Sequence, residues 1–234
     1  MKIEVWSDYV CPFCYIGKRR LEQALKQTGL EGQVDVQFKA YQLDPHTPVA
    51  SGQSLLEGLA AKFNVSRTEA ENMMKNIEEL AGTVGLHYQT DKMKTSNTLD
   101  AHRLAKLAQQ HGKEAQVTER LLHGYFAEGE QIDTEEVLLA IAEEAGLDAE
   151  RTKAVLRSDD FKDEVQTDIE EARQIGVQGV PFFVINRKYA ISGAQSAETF
   201  AESLKKAAKE ESVQPSLQVL GEENLQCDDG SCDI

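Results

Sequence analysis

The chain carries four cysteines in two close pairs, Cys11-Pro12-Phe13-Cys14 near its start and Cys227-Asp228-Asp229-Gly230-Ser231-Cys232 near its end. Two thiols at such spacing can form a reversible disulfide, act as nucleophile and resolving partner, or supply half of a tetrahedral metal site. Position discriminates among these chemistries. The first pair follows the run Ile3-Glu4-Val5-Trp6 and opens a segment with helical periodicity, so Cys11 falls at a helix N-terminus. Unpaired backbone N–H groups and the positive end of the helix dipole favour a thiolate there. Pro12 suits the first helical position, where its fixed φ helps and its missing N–H is not needed. Cys14 lies seven residues before Leu21 and shares its buried face. This placement predicts that Cys11, the outer thiol, attacks a disulfide and that Cys14 resolves the mixed disulfide.

The flanking elements must hold that pair. Residues 2–7 alternate, with Ile3, Val5 and Ser7 against Lys2, Glu4 and Trp6; a helix follows from about Pro12 to Thr28, with Gly29 as its stop. Val34, Val36 and Phe38 then repeat with the period of a strand. Strand, thiol pair, helix and second strand make a βαβ unit with a right-handed connection. From about 53 to 175 the chain reads as helices separated by short polar stops. Ser66-Arg67-Thr68-Glu69 has the form of a capping box, and Ser96 is placed to cap the next helix. Further helices are expected at about 114–127, 134–145, 148–157 and 161–175. Residues 182–185 and 189–192, separated by Asn186-Arg187-Lys188, read as an antiparallel hairpin, and a last helix covers about 196–209. Pro181, at the head of the hairpin's first strand, cannot donate to a ladder and belongs at the strand's first residue or edge.

Four pieces of this sequence together resemble the DsbA-like branch of the thioredoxin superfamily, in particular its FrnE-type members. They are the opening strand with Ser7-Asp8 and Cys11-Pro12-Phe13-Cys14, the segment Ser96-Asn97-Thr98-Leu99-Asp100-Ala101-His102-Arg103, the turn Gly179-Val180-Pro181-Phe182-Phe183, and Gly193-Ala194-Gln195. The resemblance spans residues 1 to about 208. It implies an α/β thioredoxin fold: a four-stranded mixed sheet with a large all-helical insertion. Residues 1–44 and 176–209 would form the thioredoxin-like domain and 45–175 the insertion, leaving 210–234 as an acidic tail. It further implies that Pro181 is cis and lies against Cys11, and that Val180 offers backbone groups to an extended substrate by strand addition. The implied activity is that of a protein thiol-disulfide oxidoreductase or disulfide isomerase. It needs no organic cofactor, and its partners are disulfide-containing or misfolded proteins, with glutathione or a thioredoxin-type protein as reductant.

Composition is consistent with that class. The 234 residues are 41% apolar and 28% charged, ordinary values for a globular protein, and no run approaches the roughly 20 apolar residues of a membrane span. Forty acidic residues against 25 Lys and Arg give a net charge of −15, which opposes nucleic acid and anionic membranes as partners. Strand character from the second or third residue leaves no basic, apolar leader, and the expectation is a cytoplasmic protein.

Seven of the excess negative charges fall in residues 210–234, which hold no Lys or Arg, so a solvated, mobile tail is expected. A structural disulfide across Cys227 and Cys232 would restrain little but the tail itself, by roughly 2 kcal/mol. Fully extended at ~3.4 Å per residue, the segment from 210 to 227 could span about 60 Å and reach Cys11. An accessory redox pair exchanging with Cys11 and Cys14 is the favoured reading, beside metal binding and an incidental pair. Four cysteines would also satisfy a structural zinc ion, but Pro12 and the helix placement suit redox cycling better, and the site is read as holding no metal.

Among the five histidines no ligand spacing appears, and His102 and Asn97 are placed near the site only by the family-like segment that contains them. Tyr9, Phe13, Tyr15, Phe182 and Phe183 are candidates for an apolar rim, Phe13 the most exposed because it lies between the cysteines. A related branch of the fold, the hydroxychromene carboxylate isomerases and kappa-class glutathione transferases, offers an alternative glutathione-dependent activity; those enzymes have no use for a resolving thiol, so Cys14 favours disulfide exchange. The Pro12-Phe13 dipeptide lacks a histidine to stabilise a thiolate, which points to an intermediate potential. A couple ~60 mV above the glutathione pool would rest about 100-fold on the dithiol side, favouring reduction or isomerisation.

Overall fold

The computed structural model describes residues 1–212. The elements follow in the order β1 (Lys2–Ser7), α1 (Pro12–Thr28), β2 (Asp35–Ala40), α2 (Leu55–Phe63), α3 (Arg67–Gly82), α4 (Leu99–Gln110), α5 (Glu114–His123), α6 (Glu135–Glu144), α7 (Ala149–Leu156), α8 (Lys162–Gln174), β3 (Phe182–Ile185), β4 (Tyr189–Ser192) and α9 (Ala197–Ser212). The sheet order is β2-β1-β3-β4, with β1 and β2 parallel and the other two pairs antiparallel. This is the expected four-stranded mixed sheet, with α2 to α8 between β2 and β3. The acidic tail from 213 onward, with Cys227 and Cys232, lies outside the described residues.

Local signals account for the elements nearest the thiol pair. Pro12 opens α1, and Gly29 at φ +70° ends it while Leu30 N–H returns to the Leu25 carbonyl. In the β3–β4 hairpin Asn186 and Arg187 both take positive φ, at 50° and 55°, in a turn closed by Lys188 N–H on the Ile185 carbonyl at 3.0 Å. The Ser66–Glu69 capping box forms as the spacing predicts.

The residues of β1 alternate between two faces, and both are covered: Glu4 and Trp6 are buried as fully as Ile3 and Val5. As a central strand, β1 is covered on both sides. Ile3 and Val5 join Leu21, Phe183, Phe200 and Leu204 beneath α1 and α9, while Trp6 packs with Ala172 and Val184. Glu4 tolerates burial because the Arg187 guanidinium pairs with both of its carboxylate oxygens. Other expectations need correction. Ser96 does not cap α4: Thr98 holds the cap position, and the Asn97 side-chain oxygen accepts from Leu99 N–H at 3.0 Å. Helix α5 ends at His123 and continues as a single π-helical turn over Gly124–Glu128. The short helix α2, opened by Ser54 and closed by Asn64 at φ +53°, has only Leu56 buried and gives too weak an apolar stripe to be singled out.

Two charged clusters tie the helices between β2 and β3 to the rest of the fold, one to β2 and one to α1. On α8, buried Asp168 pairs with Lys39 Nζ of β2 at 3.0 Å and with Lys106 Nζ of α4, and accepts from Ala40 N–H at 2.9 Å. Its backbone carbonyl accepts from Trp6 Nε1 at 2.9 Å. On α5, Glu119 receives hydrogen bonds from Lys18 and Arg19 of α1 and from the Tyr15 hydroxyl at 2.7 Å. Burial alone would raise the Glu119 carboxyl, but Arg19 and Lys18 outweigh it and hold its pKa down to about 2. A depressed carboxylate stabilises the fold fully above its unfolded value of about 4.3, and that contribution is lost as pH falls through the folded value. Glu119→Gln is therefore expected to lower the melting temperature by a constant amount above about pH 5. The gap to the unsubstituted protein should close between about pH 4 and 2, which melting curves across that range would check; a gap independent of pH would contradict the assignment.

Candidate active site

The first turn of α1 stands at the end of the sheet where β1 and β2 finish and β3 begins. Cys11 occupies the cap position in extended conformation, φ −89° and ψ 111°, with Cys11 N–H bonded to the Asp8 carbonyl at 3.2 Å. Across from it the Val180-Pro181 peptide is cis, as the resemblance implies, and the Cys11 thiol donates to the Val180 carbonyl oxygen at 3.4 Å. That contact covers the thiol. Expected as the outer cysteine, Cys11 is only 4% exposed, against 2% for Cys14. The two differ in surroundings instead: Cys11 meets an acceptor that an extended chain could also use, whereas Cys14 Sγ lies 3.5 Å from the Asp8 N–H within the fold. Burial pushes the Cys14 thiol well above its ordinary range, and the adjacent Cys11 adds to that rise. Both cysteines are free.

Close approach of the proline loop to α1 depends on a residue that the sequence reading missed. A Cβ at Gly17 would stand 2.9 Å from Pro181 Cγ and 3.1 Å from Phe183 Cζ, so the glycine makes room for the loop beside the thiols. Its signal was a glycine within an otherwise regular helix, where it costs ~0.5–1 kcal/mol relative to alanine unless something approaches closely.

Asp8 is the second such residue. Its carboxylate is 1% exposed and accepts from Tyr9 N–H at 2.9 Å and from Leu43 N–H at 2.8 Å. His102 Nε2 lies 3.3 Å from Asp8 Oδ1 and 3.1 Å from the Tyr41 carbonyl, with its ring against Tyr9. The turn that presents Cys11 is thus fixed from below by one carboxylate, and His102 sits within that support. Behind it is a cavity of about 10 Å³ lined by Ser7, Tyr9, His102, Lys106 and Glu114, large enough for one water. Burial pushes the Glu114 carboxyl up to about 7 there.

Asn97 is placed differently. Its amide donates to the Thr47 carbonyl at 2.8 Å and the Pro45 carbonyl at 3.3 Å, tying the 45–47 loop to the start of α4. Of the aromatic rim, Tyr9, Tyr15 and Phe183 belong to the core, Phe182 is half-buried, and Phe13 is 40% exposed between the cysteines. A third residue that the sequence reading missed is Tyr88, whose hydroxyl donates to the Pro12 carbonyl at 2.8 Å.

The DSBA-like thioredoxin domain model matches residues 2–205. The chain belongs to this family. It is 36% identical to a probable DsbA oxidoreductase, SCO1869, from Streptomyces coelicolor, whose crystal structure aligns over 100% of this chain and 99% of that one with a TM-score of 0.86. It is 26% identical to the uncharacterized protein YwbO of Bacillus subtilis (strain 168) over 203 residues, 86% of this chain and 94% of that protein. The cytosolic disulfide reductase DsbM from Pseudomonas aeruginosa, 16% identical, shares the fold with a TM-score of 0.65 over 89% of this chain and 99% of that one. Family membership supports thiol-disulfide oxidoreductase activity for this DsbA-like chain. No helix among the described residues is long and apolar enough to cross a membrane.

Proposed function

We propose that this DsbA-like protein is a cytosolic oxidoreductase and isomerase of protein disulfides. The observation that carries the reading is Cys11 at the head of α1, 3.4 Å from the Val180 carbonyl that precedes cis Pro181. Cys11, as thiolate, attacks one sulfur of a substrate disulfide, forming a Cys11–substrate bond as the substrate S–S bond breaks and releases a thiolate. Cys14 then loses its proton and attacks Cys11 Sγ, expelling the second substrate sulfur and closing the Cys11–Cys14 disulfide. The substrate gains two electrons and the dithiol loses them. If a second substrate thiol attacks the mixed disulfide first, the outcome is isomerisation. Val180 and Pro181 orient the substrate backbone, the Val180 carbonyl exchanging the thiol donor for a substrate N–H. Phe13 offers an exposed apolar contact.

The test is reactivation of a scrambled disulfide protein in a glutathione buffer. Recovery of native activity supports the reading. Inactivity toward protein disulfides combined with glutathione conjugation would replace it with the glutathione-dependent alternative, and stoichiometric zinc retained after chelation would replace it with a four-cysteine metal site.

Cys227 and Cys232 enter the proposal as an accessory redox pair that takes electrons to or from Cys11 and Cys14 by intramolecular exchange. A tethered pair acts at an effective concentration in the millimolar range when its linker spans the distance. Substituting both by serine is expected to slow multiple turnover severalfold while leaving the first reaction of Cys11 unchanged, as stopped-flow and steady-state rates would show. Full turnover of that variant in every redox assay would remove the relay.

A further inference from the structure

Tyr88, in the loop after α3, is buried against the active-site turn, and its hydroxyl donates to the Pro12 carbonyl oxygen at 2.8 Å. The ring is fixed on its aromatic neighbours. It stacks on Phe126 with centroids 4.5 Å apart and lies 11° from parallel with Tyr15. Burial pushes the phenol above its ordinary range, so the group remains a donor wherever thiols ionise.

The Pro12 carbonyl and the Phe13 N–H are the two ends of one planar peptide unit. Phe13 is the second residue of α1; the Cys11 thiol donates to Val180 and makes no cap hydrogen bond in this structure, but the N–H at that place is one that a cap-position anion accepts. A hydrogen bond to the carbonyl end polarises the unit and strengthens its N–H as a donor. We propose that Tyr88 is a positioning residue which, acting through the Pro12-Phe13 peptide, favours the thiolate of Cys11 and couples the helices between β2 and β3 to the reactivity of the dithiol. The inference rests on the reading of Cys11 as the nucleophile. The titratable and charged groups around the turn are Cys14, Tyr15 and Arg19 on α1, with Asp8, Tyr9 and His102 below it.

Tyr88→Phe keeps the stacked ring, removes only the hydroxyl and leaves all of those groups in place. Alkylation of each cysteine by iodoacetamide is followed by peptide mass spectrometry in the full-length reduced protein. Cys11 of the variant is expected to react about two- to fourfold more slowly at neutral pH, the range of one weakened hydrogen bond to a charged sulfur. The difference should vanish at high pH, and the equilibrium with glutathione should shift toward the Cys11–Cys14 disulfide by a similar factor. Equal rates at neutral pH with only a lower melting temperature would make Tyr88 structural and overturn the proposal. A deficit of equal size at every pH would assign it to access and overturn it too. Failure of the underlying reading appears separately, in the unsubstituted protein, as a Cys11 no more reactive than Cys227 and Cys232.

Discussion

Cys11→Ser is expected to abolish disulfide exchange, with turnover falling at least about 10³-fold, the scale on which loss of an active-site nucleophile is felt. Cys14→Ser should behave differently. It retains the first attack, and without a resolving thiol it should accumulate a covalent Cys11–substrate species, visible as a mass increase that reductant removes. The geometry sets this asymmetry: Cys11 faces the Val180 carbonyl, where a substrate chain would lie, and Cys14 faces the Asp8 N–H beneath it. Burial holds the Cys14 thiol above its ordinary range, and that cause persists after Cys11 enters a mixed disulfide. Resolution of the mixed disulfide by Cys14 in the unsubstituted protein should therefore keep accelerating as pH rises past the usual thiol value of about 8.5. A Cys11→Ser variant that retained turnover, or adducts borne by Cys14, would overturn the assignment of roles.

The parts of this arrangement that the sequence disclosed are those written in contiguous residues. Pro12 and Gly29 bracket α1, Asn186-Arg187 sit at the hairpin turn, and Ser66 with Glu69 close a capping box, each signal lying within a few positions of its effect. The thiol pair was legible for the same reason. Partners of the site lie far along the chain and carry no local period. Tyr88, which reaches Pro12, stands in a loop, and a loop tyrosine has no pattern that distinguishes it from any other. Gly17 looks like a weak helical residue until Pro181 is placed beside it. Asp8 reads as a turn carboxylate, and only the fold brings it Leu43 and His102. The family-like segment placed His102 near the site without indicating what it touches.

Glu4 and Trp6 illustrate a second limit. Alternation in a strand reports which residues share a face, and a central strand between two helical layers buries both faces, so polarity at Glu4 marked an ion pair with Arg187 instead of solvent. Asp168 poses the same problem. Within α8 it resembles any acidic helix residue beside Glu170 and Glu171, and nothing nearby in sequence marks it as the meeting point of β1, β2, α4 and α8.

That meeting point carries the largest expected effect on stability. Asp168→Asn removes the charge shared by Lys39 and Lys106, whose side chains are only 14% and 9% exposed. Lys39 retains Glu171 at 3.3 Å, while Lys106 loses its carboxylate partner within a buried setting. Breaking a buried pair from one side typically costs about 3–5 kcal/mol because the remaining charge is uncompensated. For a domain of this size that corresponds to a melting temperature lower by roughly 10 °C. The damage should extend to the site, because Asp168 accepts from Ala40 N–H and the next residue, Tyr41, gives its carbonyl to His102. Combining Asp168→Leu with Lys106→Met removes both members of the buried pair and should recover much of the loss, since apolar groups of similar volume often match a buried ion pair. Thermal melts of the single and double variants decide the point: a single variant within about 1 kcal/mol of the parent would show that the cluster is hydrated and that its charges do not hold the helices to the sheet.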